Sequence, residues 1–331
     1  MACRMYRRLL ASIALPLVLS IAAPAGAQQL DAAGFEALRD IDLRLAGVAQ
    51  RLVTANVALC RDRQPATGAV LHAIDQYDPA SRETVRRVFG FPTPIAVEAV
   101  VPGSPAAIVG ITANAGVVSV GGQAMPAPTT GAATSATRDA ALGLIADLPA
   151  DRPTSWRLAG GTVRTVAASP GCRATFEVLL GPGLAASSDG RVVQLGVRFF
   201  ERYTDAEIAV VVAHELAHII LRHRVRLEAA GVRWGLLAEF GRNRRLFRRT
   251  EDDADLLAVH LLRNASYDPA SAPAFWRAHG NAVGGGFFRA RTHGSAGARA
   301  KAIEAEIASI PAAAPLPYLP PVLATRDQPL G

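Results

Sequence analysis

Residues 205–224, DAEIAVVVAHELAHIILRHR, restrict the possible folds more than any other stretch of this chain. Ile208 to Ala213 and Ile219 to Leu221 make a helix here apolar nearly all round, so it must lie inside the molecule rather than on it. Yet the same helix carries His214, Glu215 and His218. Burying two imidazoles and a carboxylate without partners is costly, and a metal ion removes that cost. The fold therefore has to be built around this helix, with a further polar group brought to it.

His214 and His218 stand four residues apart, so both project from one helix face and can converge on one ion. Glu215 adjoins them, where a carboxylate can take a proton from a metal-activated water and pass it to a leaving amine. His-Glu-x-x-His is the arrangement of zinc peptidases, and a catalytic zinc ordinarily takes a third protein ligand and a water. TEDDADLLAVHLL offers Glu251, Asp252, Asp253 and Asp255 as that ligand. Glu251 and Asp255 share a face, which suits one carboxylate on the metal and the other on the outer nitrogen of a ligand histidine. Asp252 and Asp253 are expected to point to solvent. His223, five residues past His218, falls off the ligand face and reads as a helix-end residue.

The amino-terminal residues MACRMYRRLLASIALPLVLSIAAPAGAQQ join Arg4, Arg7 and Arg8 to an apolar run and end in Ala25-Gly26-Ala27. That is the pattern of a cleavable export signal over residues 1–27; an uncleaved membrane anchor is the competing reading. Later segments lack an apolar stretch of spanning length, so the expectation is an exported, periplasmic protein with no membrane span after cleavage, free to associate peripherally with a membrane. Without the three leader arginines the formal charge falls from +7 to +4, too mild to imply a nucleic-acid partner. The basic run GRNRRLFRR (241–249) reads as a solvated lead into the next helix in preference to a patch for an anionic partner. Beyond Cys3 in the leader, only Cys60 and Cys172 remain, and in a compartment that permits disulfides they are expected to be bonded; two separate buried thiols is the alternative.

Periodicity predicts a long amphipathic helix over 29–58, a short one ending at Gly90, and helices over 138–148, 204–224, 250–264, 270–279 and 296–310. ATFEVLLG and RVVQLG read as strands, and Gly121-Gly122 as a hairpin turn. The proline-rich tail, residues 311–331, reads as extended or disordered. Between residues 90 and 169 the texture changes to short apolar runs divided by glycine and proline, the mark of an inserted module splitting a parent domain into 28–89 and 170–310. Cys60 and Cys172 flank that insertion, whose two ends must lie close together. AVVPGSPAAIVGI followed by VVSVGGQAM resembles a PDZ domain, with Asn114-Ala115 in place of the usual Gly-Asp. The resemblance implies that Gly90 and Phe91 sit near a loop receiving a peptide carboxylate and that the strand 95–101 is an edge open to a peptide. A module that merely covers the active-site face is the equal alternative.

DAEIAVVVAHELAHIILRH, EDDADLLAVHLLRNASYDPASAPAFW and RTHGSAGARAKAIEAEI together resemble the metallopeptidase family of HtpX and the CAAX prenyl protease, peptidase family M forty-eight, in its soluble exported branch. The resemblance implies an α+β fold, a mainly helical zincin-like domain with a small sheet, holding one Zn2+ per chain. Glu251 to Asp255 match its Glu-x-x-Ala-Asp, which implies His214, His218 and Glu251 as zinc ligands, Glu215 as general base and Asp255 behind a ligand histidine. Thr292-His293 and Arg299 correspond to its Thr-His-Pro and downstream arginine, with Gly294 replacing the proline. On that analogy His293 steadies the oxyanion. The activity implied is zinc-dependent endoproteolysis of protein or peptide substrates, unfolded envelope proteins among them, as in quality control. A peptide-binding envelope chaperone or scaffold with a structural or vestigial zinc site is the other reading; an intact Glu215 argues against it.

Overall fold

The computed structural model describes residues 30–232, 243–283 and 294–330. The leader, Thr292 and His293 lie outside the described residues, as does the start of the basic run.

Helix α1 (Ala32–Ala55) opens on Asp31, whose side chain accepts the Gly34 N–H, and buries a stripe that includes Phe35, Leu45, Val48, Leu52 and Val53. After it come β1 (Arg63–Pro65), β2 (Ala69–Ala73), α2 (Arg82–Phe89), β3 (Ile95–Val100), α3 (Pro105–Ile108), β4 (Val117–Val120), β5 (Gln123–Ala124), α4 (Ala136–Ala146), β6 (Thr154–Leu158), β7 (Val163–Val166) and β8 (Pro170–Cys172). The chain continues through β9 (Thr175–Leu179), β10 (Ala186–Ser188), β11 (Val192–Gly196), α5 (Arg198–Arg202), α6 (Asp205–Ile220), α7 (His223–Ala229), α8 (Asn243–Asn264), α9 (Ser271–Val283) and α10 (Ala296–Ser309). The molecule is thus α+β.

Two main apolar cores follow from this order, with two small clusters beside them, one around Leu227 and Phe247 and one around Phe35 and Phe89. The larger packs α1, α6, α8 and α9 with the sheet β10-β11-β9, in which β11 runs parallel to β9 and antiparallel to β10. The smaller lies among β2, β3, α4 and the antiparallel sheet β5-β4-β6-β7, around the fully buried Trp156. Gly121 and Gly122, at φ 59° and 81°, make the turn between β4 and β5, a left-handed pair that hairpin turns favour. The two chain passages between the cores run side by side, β1 antiparallel to β8 with Arg63 opposite Cys172. Cys60 and Cys172 are bonded there with Cα atoms 5.3 Å apart, as expected of a neck.

Several expectations need correction. The second core reaches back before residue 90, because β2 pairs with β3. The strand expected to be an open edge is not one: β2 lies along one side of β3, while on the other the Val97 N–H donates to the Ala115 carbonyl and the Val97 carbonyl accepts the Asn114 N–H. A hydrogen-bonded neighbour on each side leaves no room for a peptide strand. Gly90 caps α2 at φ 72°, and the Phe91 ring stacks on His72 with centroids 4.2 Å apart, so its face is already covered. The basic run does more than lead into a helix: from Asn243 onward it is the first part of α8, with Leu246 and Phe247 buried. Nor is the tail loose. It forms a 3-10 helix over Pro321–Asp327, buries Leu323 and Leu330, and is tied down by Arg326 donating to the Leu59 carbonyl and by Asn264 accepting the Tyr318 N–H. Proline prevents an α-helix there but not docking of the side chains.

Candidate metal centre

Helix α6 begins at a capping box in which the Thr204 hydroxyl accepts the Glu207 N–H and the Glu207 carboxylate accepts the Thr204 N–H. That start fixes the register that sends His214 and His218 toward α8. The helix ends earlier than its periodicity suggests: Arg222 is left-handed at φ 55°, ψ 38°, and α7 begins at His223. The kink swings His223 back beneath the site, where its Nδ1 lies 3.0 Å from His218 Nδ1.

Three side chains converge. His214 Nε2 and His218 Nε2 are 3.2 Å apart, and Glu251 places Oε2 3.2 Å from His214 Nε2 and Oε1 3.7 Å from His218 Nε2. His214, His218 and Glu251 form a group that could hold a metal ion, one ligand atom from each lying within 4.8 Å of the others. A tetrahedral ion with bonds of about 2.0–2.1 Å would separate its ligand atoms by roughly 3.3 Å, so the donor spacing fits without rearrangement. Glu251 comes from α8, the helix that packs against α6.

Each imidazole is also held from behind. His214 Nδ1 is 2.9 Å from Asp255 Oδ1, and Asp255 accepts two hydrogen bonds from Arg299, each 2.7 Å. The Arg299 guanidinium lies 3.6 Å over the Trp276 ring, so α9 and α10 complete the support for a residue on α6. Burial alone would raise the Asp255 carboxyl, but Arg299 and the His214 hydrogen bond outweigh it and hold its pKa down to about 2. For His214, burial disfavours charge, yet hydrogen bonds to Asp255 and Glu251 prevail and carry it up to about 10. The pocket is thus built to favour positive charge at that ring, which a proton or a metal ion supplies equally. His223 is pushed the other way, far below its ordinary value, by burial and then by His218 and Arg226. A neutral His223 can accept a hydrogen bond from the His218 Nδ1–H, which turns the lone pair of His218 Nε2 toward the site.

Glu215 is buried on α6 at 9% exposure and has no hydrogen-bond or ion-pair partner among the described residues. Asp252 is exposed as expected. Asp253 is not: its Oδ2 is buried, and burial raises its pKa against the pull of Arg226 and Arg249. Sequence reasoning missed two supporting residues, His223 and Trp276. The left-handed break that redirects His223 has no signature in an arginine, and a tryptophan beneath a distant arginine leaves none in local spacing. No protein-family model matches the chain, and no curated protein is detectably similar to it.

Proposed function

We propose that the chain is an exported zinc metalloendopeptidase, with a zincin-like body around α6 and α8 and a PDZ-like insert beyond the neck. The observation that carries this reading is the spacing of His214 Nε2, His218 Nε2 and the Glu251 carboxylate, close to the edges of a tetrahedral site. Two imidazoles and one carboxylate suit zinc, with a position left for water. When bound there, zinc lowers the pKa of a water and polarises a carbonyl oxygen.

The chain's own residues supply the remainder. Glu215, one residue from a ligand and without a partner among the described residues, accepts a proton at its carboxylate and returns it to the departing amine. Asp255, locked by Arg299, holds His214 by Nδ1, and His223 holds His218 by Nδ1. These contacts fix which nitrogen of each ring faces the site. The disulfide suits an oxidising, exported setting, and no described helix is long and apolar enough to cross a membrane.

The test is to purify the full chain, measure its metal, and follow cleavage of a reduced and alkylated protein with and without chelator. Glu215→Gln should keep the metal and lose about 10²- to 10⁴-fold in rate. A metal-loaded Glu215→Gln protein that cleaves as fast as the parent would sink the catalytic assignment. Parent protein that holds metal and binds unfolded protein but never cleaves it would favour the chaperone reading.

A further inference from the structure

A cavity of about 750 Å3 lies away from the metal centre, between α1, β2, α4 and β9. Its size is that of a ligand pocket, roughly 300–1,000 Å3. Its walls are largely apolar, but four carboxyls line it: Glu177, paired with Arg138, Asp78, which accepts the Ala80 N–H, and two with no hydrogen bond among the described residues, Asp42 of α1 and Glu98 of β3. Glu98 is 6% exposed. Burial dominates the environment of both groups, and only through-space charges act beside it, Arg138 and Glu177 on Asp42, and Asp42, Arg39 and Arg138 on Glu98, with no hydrogen bond to either; Arg39 is held by Asn114 and Glu36. Arg138 itself is already committed to Glu177 and Asp139. Two unpartnered acids in an apolar cavity are costly on their own and suited to a cation. The cavity is far larger than an inorganic ion requires, and its apolar walls call for an organic body around the charge.

The backbone at its rim narrows the choice further. Among the described residues strand β9 pairs only with β11, and Ala174 to Val178 line the cavity. The Thr175 N–H donates to Arg191 and the Leu179 carbonyl accepts from Val197, so the odd-numbered residues face β11. Phe176 and Val178 therefore turn their N–H and C=O groups the other way. The Ala174 carbonyl on this edge accepts from Gln64, but the backbone groups of Phe176 and Val178 meet no hydrogen-bond partner among the described residues, and such a short edge beside an acid-lined cavity is matched by an extended polypeptide bearing a positive side chain.

We infer that the cavity is an accessory site for an extended polypeptide segment carrying a lysine or arginine, its backbone adding to the free edge of β9 and its cation meeting Asp42 and Glu98. This differs from the carboxylate recognition that the sequence suggested near Gly90 and Phe91: neither residue lines the cavity, and its acids repel a carboxylate. The site does not depend on the metal centre, since no ligand residue belongs to it.

Binding is measured by fluorescence anisotropy on the full Glu215→Gln chain, so that no probe is cut. The probe is a blocked, fluorescein-labelled pentapeptide of leucine and valine with one central lysine, compared with the same peptide bearing glutamine or glutamate at the centre. The lysine probe should bind saturably and at least about 30-fold more tightly than either. Adding Asp42→Asn and Glu98→Gln should remove that advantage, and methylating alternate probe amides should weaken binding by a similar factor. Equal binding of lysine and glutamine probes, or no saturable binding, overturns the proposal, and octylamine competing as well as the peptide overturns the strand-pairing half of it. The probe comparison on the unaltered cavity decides the matter even if the double variant folds poorly.

Discussion

At the scale of single residues, the centre depends on charges that are tolerable only as pairs. The side chains of Asp255 and Arg299 are each 5% exposed and are bonded to one another. Asp255→Ala should therefore cost about 3–5 kcal/mol by leaving a buried guanidinium alone, read from a denaturant melt. Freeing His214 Nδ1 should also weaken metal binding by about 10- to 100-fold, read by chelator competition. His223→Ala removes the acceptor behind His218 and is expected to weaken metal binding on the same scale, with little change in Glu215-dependent chemistry once the site is saturated. Unchanged affinity in that variant would show the contact at His218 to be mere packing. His214, Glu215 and His218 were legible because helical spacing places them by local geometry, and Glu251 with Asp255 because a shared face does the same. His223 was not, because its position depends on one left-handed residue, Arg222.

At the scale of elements, boundaries and neighbours separate what periodicity shows from what packing shows. The capping box that starts α6 is readable as Thr-x-x-Glu, and Thr204→Ala should cost about 1 kcal/mol by losing it. The occupied sides of β3 and the docked tail are not readable, since pairing and docking are set by segments far away in the chain. Glu98 illustrates the consequence. Burial, and after it the charge of Asp42, raises its pKa to about 8, while Asp42 itself is raised to about 6. Around them stand Arg39, Arg138, Glu177 and Tyr77. Both carboxyls bind protons more tightly folded than unfolded, where they titrate near about 4. Their contribution is complete below that value and is lost as pH rises through the folded values. The unliganded protein should thus melt at a lower temperature at about pH 9 than at about pH 5, and Glu98→Gln should flatten that fall. A slope identical in the two proteins would remove Glu98 from the account.

At the scale of the whole molecule, the neck decides how the two cores are held together. The Cys60–Cys172 bond spans 112 positions, and closing a loop of that size stabilises by about 4–5 kcal/mol in the chain-entropy model. Replacing both cysteines by serine should lower the melting temperature by roughly 10 °C or more, with the metal site retained if the larger core folds alone. The sequence by itself determined what short-range spacing can encode: a buried helix with two imidazoles on one face, a second helix with two carboxylates on one face, and an excursion flanked by cysteines. Tertiary structure alone decided that His223 turns back to His218, that Trp276 lies under Arg299, and that Asp42 and Glu98 share a cavity beside β9. The physical reason is range. Backbone periodicity acts over one or two turns, whereas burial, and with it the behaviour of every charge discussed above, depends on which distant segments come to rest against one another.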